Sequence, residues 1–129
     1  MSHRQAVMAA DAPKPAGPYS HAVRSGGLLF CSGQVPIDPA TGALVEGSIG
    51  DQARQCLENL KTVCGQAGVT LADAVRMSIY VTDISTFAQV NEVYGTYFEA
   101  DPPARTTIGV AALPGGAQIE MDAIVALPD

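Results

Sequence analysis

Arg105, Thr107 and Glu120 lie in two alternating segments toward the C-terminal end of the chain, and they are the residue types best suited to chemistry. A guanidinium offers two parallel N–H donors to a carboxylate, a fork that an ammonium cannot reproduce. A carboxylate beside it can orient a water molecule and accept its proton. One guanidinium and one carboxylate on a stiff frame are the seed of a site, provided both groups reach the same space. Pro102 and Pro103 fix their own φ and push the residues before them into extended conformations, so the chain arrives at Arg105 straight and stiff. Ile108 and Val110 follow at period two, then Leu113-Pro114-Gly115-Gly116 makes a turn. Beyond it Ile119, Met121, Ala123 and Val125 alternate with Gln118, Glu120 and Asp122. An antiparallel hairpin with Val110 opposite Ile119 and Ile108 opposite Met121 puts the large apolar side chains on one side. Arg105, Thr107 and Glu120 then share the other. An arginine and a glutamate on one sheet face most often form a solvated ion pair of little energetic worth, so the rest of the chain has to decide between salt bridge and site.

The elements that would hold this frame are legible from patterning. Residues 1–11 carry no periodicity and read as a mobile start, and the domain is expected over residues 12–129. Pro13, Pro15 and Pro18 make a stiff, non-helical lead. Gly26-Gly27 supplies the positive φ values of a hairpin turn between strands at about 20–24 and 28–32, and Gly33 marks a bulge or a close approach to the backbone. Val35 to Gly47 is turn-rich. Ser48 with Asp51 forms a capping box at the head of a helix running to Gly65 or Gly68, with Ile49, Ala53, Cys56, Leu57, Leu60, Cys64 and Ala67 on its apolar face. Thr70 to Asp73 reads as a capped turn. Val75, Met77, Ile79 and Val81 alternate as a half-buried strand, and Ser85 caps a second helix to Phe98 with Phe87, Val90, Asn91, Tyr94, Tyr97 and Phe98 inward. The order strand, strand, helix, strand, helix, strand, strand gives an α+β, two-layer domain: a mixed sheet of about six strands with two helices on one face. The remaining sheet face is too apolar for solvent, which points to self-association in a closed ring with sites where subunits meet.

The chain has 129 residues, 47% of them hydrophobic, and its 7 Lys+Arg against 13 Asp+Glu leave a formal net charge of −6. That average field repels nucleic-acid phosphates, although one locally dominant arginine can still hold a small anion. Cys31, Cys56 and Cys64 are odd in number and form no Cys-x-x-Cys pair, so buried free thiols are expected rather than a disulfide framework or a zinc site. No secretory leader and no bilayer-length apolar run is legible, which implies a cytoplasmic protein with no membrane partner.

Six short motifs in fixed order then carry a likeness: Gly17-Pro18-Tyr19-Ser20, Ser32-Gly33-Gln34-Val35-Pro36, Gln55-x-x-Glu58-Asn59, Asn91-x-x-Tyr94-x-x-Tyr97-Phe98, Pro103-Ala104-Arg105, and Leu113-Pro114 with Ile119-Glu120. From Ala12 to Ala126 the chain resembles the RidA (YjgF) family of reactive enamine/imine deaminases. The resemblance implies a chorismate-mutase-like (YjgF-like) fold and a homotrimer with clefts between subunits. It assigns the substrate carboxylate to Arg105 and the attacking water to Glu120. Tyr19, Ser32, Gly33 and Asn91 line the cleft, with Tyr19 closing it and Ser32 and the Gly33 N–H as fixed donors. Thr107 stands where cysteine is frequent and contributes a backbone group. His21 stands where glutamine is usual and reads as a surface-strand histidine.

The implied reaction is hydrolysis of 2-aminoacrylate and its tautomer 2-iminopropanoate to a 2-keto acid and ammonia, with neither metal nor organic cofactor, since an iminium carbon is already electrophilic. Two other readings stand beside it: a non-catalytic trimer that binds small 2-keto acids, and an RNA-directed endoribonuclease or translation inhibitor, which the acidic charge opposes.

Overall fold

The fold was taken from a computed structural model, which describes residues 3–128; of the segments expected above, Met1, Ser2 and Asp129 lie outside it. Among the described residues eight strands and two α-helices form: β1 (Gln5–Val7), β2 (Ala22–Ser25), β3 (Leu28–Gln34), β4 (Ile37–Asp38), β5 (Ala43–Leu44), α1 (Ile49–Gln66), β6 (Ala74–Val81), α2 (Phe87–Tyr94), β7 (Ala104–Gly109) and β8 (Ile119–Ala126). Six of the strands build one sheet in the order β1-β2-β3-β8-β6-β7, and β4 with β5 makes a separate two-stranded ribbon. All pairs in the large sheet are antiparallel except β6 with β7. A parallel pair needs a crossover, and α2 supplies it. The expected two-layer α+β architecture with a mixed six-stranded sheet is the one observed.

Helix α1 forms where its pattern says it should. The Ser48 hydroxyl accepts the Asp51 N–H and the Asp51 carboxylate accepts the Ser48 N–H, each at 3.1 Å, which satisfies two of the amides left without helical partners at the N-terminus. Its buried stripe of Ala53, Cys56, Leu57, Leu60, Val63 and Cys64 packs on Leu29, Met77, Ile79, Met121 and Val125 of the sheet, all of them essentially solvent-free. Cys31, Cys56 and Cys64 are free and buried.

Expectations are corrected at four places in the chain. The first concerns the patternless start, where Gln5–Val7 pair with Arg24, Val23 and Ala22 as an edge strand and Val7 and Ala9 are buried. Alternation also fails in β6 at Val75, which is exposed because the register with β8 shifts between Ala74 and Arg76. The second helix is shorter than its apolar spacing implied: α2 ends at Tyr94, and the preceding turn is capped by Asp83, whose carboxylate accepts the Ser85 N–H at 3.0 Å. Phe87, expected inward, is 43% exposed.

The fourth correction is the largest. β7 and β8 form no hairpin, because β6 lies between them. Met77, Ile79 and Val81 are buried with hydrogen-bonded neighbours on both sides, so β6 takes the interior position and β7 the edge, where Ile108 is 44% exposed. The Val110 N–H continues the parallel pairing by donating to the Val81 carbonyl at 2.8 Å. Residues 110–118 then carry the chain across β6 and into β8.

Candidate functional site

A cavity of about 680 Å³ opens between the lead before β2, the start of the β4–β5 ribbon and the centre of the sheet. Pro13, Lys14 and Tyr19 form one wall, Ile37 and Leu44 of the ribbon another, Pro114 and Gly115 of the turn before β8 a third. Ser32, Gly33 and Glu120 form the floor. Their approach depends on a bulge. The ladder between β3 and β8 runs regularly from Leu28 to Cys31, shifts, and resumes at Gln34 opposite Met121, which takes Ser32 and Gly33 off it. The Glu120 side chain occupies the space so released. A Cβ at Gly33 would overlap its carboxylate and have to displace it, so glycine serves close approach here rather than a special φ.

The electrostatics follow from this placement. Burial pushes the Glu120 carboxyl above the usual range, and the Asp122 carboxylate along the strand adds to the effect. Asp122 in turn accepts the Tyr80 hydroxyl at 3.0 Å. Tyr19 lines the cavity and is 46% exposed, and its phenolic oxygen accepts the Ala16 N–H at 3.1 Å, which leaves its O–H free to donate. Ser32 departs from its expected role. Its hydroxyl donates to the Ser20 carbonyl at 2.6 Å, so it offers the cavity lone pairs instead of a donor, and the Gly33 N–H is left as the donor candidate.

Arg105 and Thr107 are elsewhere. In the β6–β7 register Arg105 pairs with Met77 and Thr107 with Ile79, residues that β8 matches with Ala123 and Met121 on the helix side. Glu120 pairs with Tyr80 on the opposite side. The expectation that Arg105, Thr107 and Glu120 share one face within a chain is therefore overturned, because it rested on the hairpin. The Arg105 guanidinium lies over the rings of Tyr94 and Phe87, 4.7 and 5.4 Å from their centroids. Asn91 falls between those two aromatics on the same stripe of α2. Among the described residues no carboxylate pairs with Arg105. The Tyr94 and Thr107 hydroxyl oxygens, both buried and both next to Arg105, have no hydrogen-bond partner. Burial pushes the Tyr94 phenol up while the Arg105 charge opposes the shift.

The seven candidate residues thus divide into two groups. Tyr19, Ser32, Gly33 and Glu120 converge on the cavity, whereas Arg105, Thr107 and Asn91 gather at the β7 edge beside α2. Lys14 and His21 also line the cavity, and neither was assigned a role there. A cation held between Pro13 and Pro15 in a stiff lead was the available signal for Lys14. His21, read as a surface residue, is buried. Tyr94, the ring under Arg105, was legible only as an inward aromatic. Asn59 and Glu58 of the α1 motif are ties: the Asn59 amide donates to the Ile37 carbonyl at 2.9 Å and holds the ribbon wall, and Glu58 accepts the Tyr97 hydroxyl at 2.5 Å. Among the described residues there is no cluster of three His, Cys, Asp or Glu able to hold a metal, and no helix is long and apolar enough to cross a membrane.

Residues 9–127 match the family profile described as Endoribonuclease L-PSP. A RutC family protein of Pyrococcus horikoshii is 46% identical over 94% of this chain and 96% of its own length. The mouse protein named 2-iminobutanoate/2-iminopropanoate deaminase is 40% identical over 94% of this chain and 90% of its own. The crystal structure of the yeast protein YEO7 superposes with a TM-score of 0.94 at 42% identity, covering 97% of this chain and 99% of that one.

Proposed function

This chain belongs to the RidA (YjgF/RutC) family, and we propose that it hydrolyses 2-imino and enamine acids of the 2-aminoacrylate and 2-iminopropanoate class to 2-keto acids and ammonia. The observation that carries the reading is Glu120: a carboxylate of raised proton affinity, pressed against Gly33 on the floor of a cavity of about 680 Å³. Hydrolysis of a C=N bond needs one placed water and one group to take its proton. Glu120 does both. As the water oxygen adds to the imine carbon, its proton passes to Glu120 and on to the nitrogen that receives the C=N electron pair; Glu120 then carries the carbinolamine hydroxyl proton to the amine, which leaves as ammonia as the ketone forms. The Gly33 N–H and Tyr19 O–H are positioned to hold substrate or water during the addition. Positioned acid–base help of this kind is worth about 10²–10⁴-fold.

The substrate carboxylate requires Arg105, which a single chain keeps on the other side of the sheet. The proposal is therefore a homotrimer in which the β7 edge of one copy closes the cavity of the next, joining Arg105, Thr107 and Asn91 to Tyr19, Ser32, Gly33 and Glu120. Three features support it. Tyr94 and Thr107 hold unpaired buried hydroxyls beside Arg105, the guanidinium lacks a carboxylate among the described residues, and Phe30 and Ile108 are exposed on the helix-free sheet face. The two N–H···O⁻ bonds of the fork contribute roughly 1.5–3 kcal/mol each. The mouse relative's name agrees with this activity.

The test generates the imine with an amino-acid oxidase or dehydratase and traps it with semicarbazide. Added protein is expected to divert imine to keto acid; equal trapping with and without protein would overturn the reading. The name of the matching profile favours RNA cleavage instead. A net charge of −6 opposes that, and RNA binding that falls steeply with salt, together with cleavage lost in Arg105→Ala, would be needed to establish it.

A further inference from the structure

His21 sits at the entrance to β2, 3% exposed, with both ring nitrogens engaged by backbone. Nδ1 accepts the Ala9 N–H at 2.9 Å, and Nε2 lies 2.7 Å from the Pro13 carbonyl oxygen. A peptide N–H can only donate and a carbonyl can only accept. The tautomer is thereby set: Nε2 carries the proton and Nδ1 the lone pair. The neutral ring satisfies both partners. An imidazolium has a proton on Nδ1 as well, and two N–H groups would then face each other across the Ala9 contact.

The two partners belong to one strap. Ala9 and Ala12 are buried, and the Ala12 N–H folds back to the Ala9 carbonyl at 3.2 Å. The strap runs on through Pro13, Lys14, Ala16 and Tyr19, which wall the cavity. On its other side His21 is anchored to the cavity floor, its carbonyl accepting the Ser32 N–H at 2.9 Å. The imidazole is thus the clasp between the wall that carries Tyr19 and Lys14 and the strand that carries Ser32 and Gly33.

We infer that His21 is a positioning residue which, in its neutral form, pins the N-terminal wall of the cavity and releases it on protonation. The titratable groups that line the cavity beside it are Lys14 on the strap and Glu120 on β8. The direction of the change does not depend on them, because Nδ1 is the only ring site left for a proton. The inference concerns the shape of the cavity and does not depend on which molecule the cavity takes.

The test needs no substrate, so its outcome is separate from that of the deaminase reading. Amide-exchange protection at Ala9 and Ala16, corrected for intrinsic pH dependence, is followed from about pH 8 to about pH 5 in the wild type and in His21→Gln and His21→Ala, with ring ¹⁵N shifts recorded alongside. Gln keeps one acceptor and one donor but does not titrate. In the wild type we expect the Nε2–H tautomer at high pH and a loss of Ala9 protection of about tenfold or more as the ring protonates, with Ala16 following. The Gln variant holds its protection throughout, and the Ala variant is unprotected at every pH. Should the Ala variant fail to fold, the Gln variant decides alone. Ala9 protection that survives ring protonation, a ring that stays neutral over the whole range, or a Gln variant showing the wild-type step would each overturn the inference.

Discussion

Arg105 and Glu120 stand on opposite faces of one sheet: in register, Arg105 neighbours Met77 on the helix side and Glu120 neighbours Tyr80 on the other. No rotamer change brings them together within a chain, since each side chain is committed by the pleat to its own face. For the proposed carboxylate clamp and water-placing base to serve one substrate, they must meet across two copies. Intersubunit complementation tests this directly. Arg105→Ala and Glu120→Gln are each expected to abolish imine hydrolysis. Co-assembled in equal amounts, they restore it at about one quarter of the interfaces, because half the copies supply an intact arginine and half an intact glutamate, independently. Mixed assemblies as inactive as the parents would show that the two residues do not share a site.

Gly33 is tied to Glu120 by contact alone. Gly33→Ala places a methyl group on the Glu120 carboxylate and displaces it. Turnover should fall by about 10²-fold or more, toward the loss seen on removing a positioned base, while urea unfolding changes little because the floor is open to the cavity. A Gly33→Ala variant with full kcat would separate Glu120 from the chemistry.

The raised proton affinity of Glu120 has a pH signature. As a base it acts only when ionised, so the acidic limb of kcat/KM should lie above the ordinary glutamate value of 4.5. Asp122→Asn removes the secondary cause and should shift that limb to lower pH, with burial retaining part of the displacement. In the folded state the group holds its proton more tightly than in the unfolded chain. Its contribution to stability is therefore greatest below the unfolded pKa and declines as pH rises through the folded one. A limb that moves upward in the Asn variant would contradict the assignment.

Asn59 is a wall tie and not a substrate contact. Its amide donates to the Ile37 carbonyl, and its oxygen accepts from Gln55 Nε2 at 2.9 Å. Asn59→Leu leaves that carbonyl and the Gln55 amide without their partner and should destabilise the fold by about 2 kcal/mol in urea titration. KM should rise with the loosened ribbon, whereas kcat at saturation should hold.

Unpaired hydroxyls flank Arg105, and that too is testable. Thr107→Val keeps the shape and removes an oxygen that has no partner in the isolated chain. Folded-chain stability should be unchanged or slightly increased. A rise in KM for the imino acid in the same variant would show that ligand or neighbouring copy supplies the missing partner.

The sequence by itself determined the elements and much of the local chemistry. The Ser48–Asp51 capping box, the apolar stripe of α1, the Gly26-Gly27 turn and the alternation of β8 are short-range facts, written in residues a few positions apart. So is the Ser32-Gly33 break in β3, which the bulge bears out. Tertiary structure decided which strand lies beside which. Period two says that Arg105 and Thr107 share a face and that Glu120 and Asp122 share a face, but not whether those faces are the same. That turned on the insertion of β6 between β7 and β8, which buries Met77, Ile79 and Val81 between two hydrogen-bonded neighbours, one of them the sequence-distant β8. His21 was settled in the same way. Its position in a strand was legible, but its burial came from a strap that folds over it, and a strap is held by long-range hydrogen bonds that no local pattern records.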